Sequence, residues 1–168
     1  MSQLINLIVA EYKRRIFDES FRRIENCISR LNYDQVWQKP NGNSNSIGNL
    51  VLHLMGNVRQ YICSGIGGQK DIRQRHLEFI SASACDLSVL YTKMAALKID
   101  TTKVIDTLTE EKLVKTYMVQ GFEEKGLNIV IHVIEHFSCH VGQIAQYTKI
   151  LKNEDLGFYS GLDLNVKS

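Results

Sequence analysis

Pro40 is the only proline in 168 residues, so at no other position does a ring block an interior helical hydrogen bond. Long helices are permitted on both sides of it, and the apolar residues call for them. Leu4, Ile5, Leu7, Ile8, Tyr12, Ile16, Phe21, Ile24, Ile28 and Leu31 recur at threes and fours, the spacing that lines one face of a helix. This predicts a first helix over about Gln3–Leu31, ended by Asn32-Tyr-Asp34, with Val36 and Trp37 packing back over its end. The same period predicts helices over Ile47–Cys63, from Ser83 or Asp86 to Leu108, and over Ile129–Leu151. Between the first two, Pro40, Gly42 and several Asn and Ser residues form a loop, Gln38 to Ser46, whose Ser44, Asn45 or Ser46 can cap the next helix. Asp100-Thr-Thr predicts a bend in the third helix. Thr109 to Asn128 is a connection in which Lys115–Gln120 alternates as a short extended segment. Four amphipathic helices with little strand signal predict an all-α bundle, a single domain over residues 1–168.

The charge is nearly balanced, 20 basic against 18 acidic side chains for a net +2, which argues against a nucleic-acid partner. The arginines at 14, 15, 22, 23 and 30 interleave with acidic residues and read as a solvated face; Arg73, Arg75 and His76 read as exposed loop residues. The apolar run Leu4 to Ala10 precedes its basic residues, the reverse of a secretory signal, and no run approaches the roughly 20 apolar residues of a membrane span. Cys27, Cys63, Cys85 and Cys139 show no close pairing motif and read as reduced thiols of a cytoplasmic protein.

Three of the five histidines, His132, His136 and His140, fall at four-residue spacing in the last helix. At about 100° per residue they form one row, with His132 and His140 about 40° either side of His136. The row borders the arc of Val130, Val133, Phe137, Val141 and Ile144. In the second helix Asn49, His53, Asn57 and Gln60 form a polar stripe at the edge of its own apolar arc, so it too meets the rim of a core or a cleft. Two histidines at i and i+4 can chelate one divalent ion, and a third from another helix would leave a position open for water or substrate, as in catalytic sites. The competing reading is a set of rim histidines bonded locally, and spacing alone leaves both open. His132-Val-Ile-Glu135-His136 matches the H-x-x-E-H protease pattern, but only Glu154, Asp155 and Asp163 remain downstream as an acidic ligand, and that reading is set aside. Cys139, about 60° from His136 on the wheel, reads as a small buried thiol.

Two segments carry a family resemblance: Ser46-Ile-Gly-Asn-Leu-Val-Leu-His53-Leu-Met-Gly-Asn57 and Glu135-His136-Phe-Ser-Cys-His140-Val-Gly142-Gln143-Ile144. With them the chain resembles the DinB/YfiT-like superfamily of metal-dependent enzymes, closest to a branch of unknown function. The resemblance implies a four-helix bundle of long-crossover topology, often a homodimer, with His53, His136 and His140 as metal ligands and His132 outside the triad. It implies nickel or zinc as the ion, iron being a further candidate. It also implies a small-molecule substrate, handled by a transferase that uses a low-molecular-weight thiol or by a hydrolase. The alternative is a non-catalytic dimeric bundle, a binding or stress protein whose metal site is degenerate or structural. No nucleophilic serine motif or phosphate-cradling glycine loop is present, so the metal would carry the reaction. Asn49, Asn57, Gln60 and Gln143 are candidates to orient substrate or ligand imidazoles. The tail from Leu156 to Leu162 either closes a pocket or packs at a dimer interface.

Overall fold

The long amphipathic runs fold as helices in a computed structural model of the chain, which describes residues 2–80 and 84–167. Helix α1 (Gln3–Lys13) continues through a π-wound stretch, Arg14–Phe21, into α2 (Arg22–Ser29). Tyr12, Ile16, Ile24 and Ile28 on its inner face are fully buried. Asn32 does more than end this run. It caps a short helix α3 (Tyr33–Trp37) by exchanging bonds with Gln35, each side chain accepting from the other's backbone N–H. Trp37 folds back as expected: its indole N–H donates to the Cys85 carbonyl, and its ring fills the space that a Cβ on Gly48 would take.

Ser46 caps α4 (Ile47–Val58) by accepting from the Asn49 N–H, and a π-wound stretch, Arg59–Ile66, extends this helix beyond the expected Cys63. A 3-10 turn, Arg75–Phe79, then lies against α4. Helix α5 (Leu87–Ile105) has Asp86 at its N-cap position; the other expected start, Ser83, lies outside the described residues. The bend expected at Asp100-Thr-Thr is absent, because those side chains are satisfied with the helix intact. Thr102 donates to the Lys98 carbonyl, Thr101 is buried, and Asp100 accepts from Arg59.

The connection that follows departs from an all-α reading. After α6 (Glu110–Val114), strands β1 (Thr116–Val119) and β2 (Phe122–Lys125) pair antiparallel, Thr116 opposite Lys125 and Val119 opposite Phe122. The alternation of Lys115–Gln120 marked the first strand, but Phe-Glu-Glu-Lys has none and gave no sign of the second. The pair is made by a two-residue turn in which Gln120 and Gly121 both take left-handed backbone, φ 53° and 85°, the geometry that suits a tight hairpin. Tyr61 holds the turn to the helical layer by donating to Gln120 Oε1.

Helix α7 (Gly126–Lys152) starts earlier than the expected Ile129 and packs against α2, α4 and α6. Its first residue must be glycine, since a Cβ at Gly126 would overlap the Lys112 carbonyl oxygen. Gly126→Ala is therefore expected to destabilise the protein by about 1–3 kcal/mol, although alanine is the better helix former. A urea midpoint equal to that of the wild type would contradict this contact. The core centres on the α7 face of Val133, Phe137, Val141 and Ile144, with Phe137 stacked on Phe21 at 5.9 Å. The tail packs on its own chain: Leu156 is buried, and the Arg23 guanidinium lies over the rings of Phe158 and Tyr159. Among the described residues no helix is long and apolar enough to cross a membrane.

Candidate metal centre

Helices α4 and α7 pack side by side, and their polar residues meet in layers. His53 faces His136, and one turn further along α4, Asn57 faces His132, one turn back along α7. The two helices are thus antiparallel, and the polar stripe of α4 lies against the histidine row of α7. In the first layer His53 Nε2 and His136 Nε2 are 2.9 Å apart. The His140 ring lies 5.2 Å from that of His53 and 4.5 Å from that of His136. One ring nitrogen from each of His53, His136 and His140 falls within 4.8 Å of the others. The second layer holds His132, stacked on Tyr61 at 4.4 Å and 3.3 Å from the Asn57 amide nitrogen. It stands beside the triad without joining it.

Neighbouring acceptors fix the protons on two of the rings. His53 Nδ1 lies 2.8 Å from Glu78 Oε2, and a carboxylate only accepts, so Nδ1 carries the hydrogen and Nε2 keeps its lone pair. Arg73 Nη2 is also 3.1 Å from this nitrogen, but its hydrogens go to Glu78 Oε2 and the His53 carbonyl. His140 Nδ1 likewise donates to Gln143 Oε1 at 2.9 Å, which frees its Nε2. Burial pushes the His136 imidazolium down to about 3, helped by the nearby His140, His53, His132 and Arg73. Burial also lowers His140, further lowered by His53 and only partly countered by the bond to Gln143. Both rings are thus held neutral near pH 7, the form that binds metals.

These residues fit a divalent ion. Three imidazoles at about 2.0–2.1 Å from a tetrahedral ion would space their nitrogens roughly 3.3 Å apart, and the observed pair at 2.9 Å within a 4.8 Å cluster brackets that spacing. The cluster contains no carboxylate or thiol. Glu135, the acid of the protease-like pattern, is exposed. Cys139 is exposed too, not the buried thiol expected, because it shares the outer face of α7 with Ser138 and Gly142. The other three cysteines are also free thiols.

The residues that spacing singled out divide by role. Gln143 orients a triad imidazole. Asn49 is buried and donates through Nδ2 to the Glu78 carbonyl, and Gln60 accepts from Arg73. The expectation that Arg73 is exposed is wrong: its side chain is 4% accessible and it grips Glu78 through Nε and Nη2 at 2.7 and 2.8 Å. Arg75 and His76 are exposed, as expected. Glu78 was not foreseen at all. Burial would raise its carboxyl, but hydrogen bonds from Arg73 and His53 outweigh that and hold it below the usual carboxylate range. The one trace of it in the sequence is Gly56, an interior helical glycine just after His53, where a Cβ would overlap Glu78 Oε1.

Two clefts flank the outer face of α7. One, of about 670 Å³, is lined by Pro40, Leu50, Gln143, Tyr147 and Ile150 among others and reaches the triad through Gln143. The other, of about 700 Å³, lies between Arg23 and Lys149, and neither cleft is lined by a histidine. Of these two, the 670 Å³ cleft is the one that Gln143, the partner of His140, lines.

In comparisons with known proteins, a family model described as a protein of unknown function (DUF1572) matches residues 8–160. No curated protein sequence matches the chain. Among solved structures, a conserved protein from Enterococcus faecalis is similar with a TM-score of 0.71 at 13% identity, over 92% of this chain and 100% of that one. A DinB-like protein, YjoA, from Bacillus subtilis is similar with a TM-score of 0.66 at 17% identity, over 89% of this chain and 94% of the other. At such identities the likeness is one of fold.

Proposed function

The chain belongs to the DUF1572 family and shares the fold of a DinB-like protein, and on that premise we propose that it is a divalent-metal-dependent enzyme acting on a small molecule. His53, His136 and His140 would hold the ion, with nickel or zinc the leading candidates and iron a third. The observation that supports this reading is the convergence of three imidazoles from two helices in one cluster free of carboxylate and thiolate. An ion held by neutral ligands keeps its charge and lowers the pKa of the oxygen or sulfur that fills its open position.

The chain's own residues supply the rest. Glu78 and Gln143 hold the protons of His53 and His140 at Nδ1, so both present Nε2. His132 and Tyr61 form a stacked wall beside the triad. Leu50, Tyr147 and Ile150 give the adjoining cleft apolar surface, and Gln143 and Asn45 give it amides, a lining suited to a small uncharged electrophile. Two reactions fit this site: transfer to a low-molecular-weight thiol, and hydrolysis. The matching architecture is a single domain, a four-helix bundle of DinB-like topology built from the runs that contain α1, α4, α5 and α7.

Protein purified without a histidine tag is expected to carry about one equivalent of Ni, Zn or Fe, the stoichiometry of a single three-ligand site. A chelator should remove it and the free ion restore it. Product formation that requires added thiol assigns the transferase, and turnover in water alone assigns the hydrolase. Metal-free protein that takes up none of the three ions would contradict the proposal.

A further inference from the structure

Helices α4 and α7 bring the three imidazoles together, and a third element, the 3-10 turn that carries Glu78, reaches the same site. Building on the metal reading above, we propose that Glu78, locked by Arg73, is a positioning residue that sets the tautomer of His53, so that residues 73–79 complete the metal site that α4 and α7 begin.

A surface ion pair would need neither burial nor an opening in a helix, and this pair has both. The Glu78 and Arg73 side chains are 10% and 4% accessible. Gly56 leaves the gap in the α4 surface that admits the carboxylate, since a Cβ there would overlap Oε1. The two carboxylate oxygens are used differently. Oε1 accepts from Arg73 Nε at 2.7 Å, whereas Oε2 accepts from Arg73 Nη2 and also faces His53 Nδ1, each at 2.8 Å. The segment is fastened where it carries this carboxylate: Asn49 Nδ2 donates to the Glu78 carbonyl at 2.8 Å, and the Phe79 ring lies 4.9 Å from the His53 ring. Arginine has donors only, so it holds the carboxylate in place and cannot exchange roles with it. Glu78 is therefore fixed as an acceptor, His53 Nδ1 as a donor, and His53 Nε2 as the bare nitrogen beside His136 and His140.

Two substitutions perturb this arrangement by different means. In Glu78→Leu the acceptor is gone, and the polar group left beside His53 Nδ1 is Arg73, whose Nη2 is 3.1 Å away and only donates. His53 Nδ1 must then accept, and the proton moves to Nε2, where it blocks coordination. Gly56→Ala keeps every charge and displaces the carboxylate sterically. Lys39→Ala is the control. Lys39 is exposed and bonds the Phe79 carbonyl at the outer end of the segment, away from the carboxylate.

The test combines two readouts on the full chain: the His53 tautomer in metal-free protein, from long-range proton–nitrogen NMR correlations, and zinc affinity by competition with a chelator. The wild type is expected to show His53 protonated at Nδ1. Glu78→Leu and Gly56→Ala are expected to move the proton to Nε2 and weaken zinc binding about 10–100-fold, the usual effect of losing an outer partner of a ligand histidine. Lys39→Ala should change neither. Wild-type His53 protonated at Nε2, or Nδ1 protonation retained in either folded variant, would overturn the assignment. A wild type that binds no zinc would instead count against the metal reading, and the tautomer would still decide the role of Glu78.

Discussion

His136→Ala is expected to abolish stoichiometric metal binding, with His53→Ala and His140→Ala close behind it, while His132→Ala leaves the stoichiometry unchanged. The four histidines look alike in sequence, and the geometry separates them. His136 is the middle member, its Nε2 2.9 Å from that of His53 and its ring 4.5 Å from the His140 ring. His132 is 5.4 Å from His136 between ring centres and turns its Nε2 to the Asn57 amide. Removing one of three ligands should cost more than the roughly 10–100-fold typical of an outer partner, enough to leave the site empty after gel filtration. Metal analysis of the four alanine variants reads this directly. Loss of metal in His132→Ala equal to that in His136→Ala would mean that the ion sits lower in the histidine row than proposed.

The second large effect is on stability. Arg73→Met is expected to cost about 3 kcal/mol, because it strips a buried carboxylate of its charged partner, and so to lower the melting midpoint by roughly 6–12 °C. Glu78 would keep only His53 as a side-chain donor. A buried ion pair is seldom a strong net stabiliser against apolar replacements of similar volume, so Arg73→Met/Glu78→Leu should recover much of the lost stability. It should not recover metal affinity, since His53 Nδ1 would still lack its acceptor. A single variant as stable as the wild type would show that water reaches this pair.

What could be read from the sequence follows from the range over which each signal acts. The long helices rest on local periodicity, and they appear where threes and fours predict them, with their ends displaced at Gly126 and Ile66. The histidines of α7 share one turn spacing, so their common face is a property of the helix itself. His53 needed the packing of two helices, and its place in the triad came from the resemblance of the two motif segments. Glu78 had no comparable signal. It lies in a non-periodic segment whose contact with His53 depends on the chain after Gly67 folding back over α4, and a charged loop reads the same whether it is solvated or buried. The second strand was hidden for a similar reason: Phe122-Glu-Glu-Lys125 has no strand pattern, and its pairing is imposed by the left-handed backbone of Gln120 and Gly121. Cys139 illustrates the limit of a helical wheel, which gave its angle from His136 but not that this side of α7 faces solvent.

The central claim, one divalent ion shared by His53, His136 and His140, is tested most directly by X-ray absorption on the zinc-loaded, tag-free protein. The site predicts a first shell of three imidazole nitrogens at about 2.0–2.1 Å, with the outer-shell scattering of three rings and a remaining light-atom ligand that is not histidine. A sulfur shell near 2.3 Å, or fewer than three imidazoles in the wild type, would contradict it.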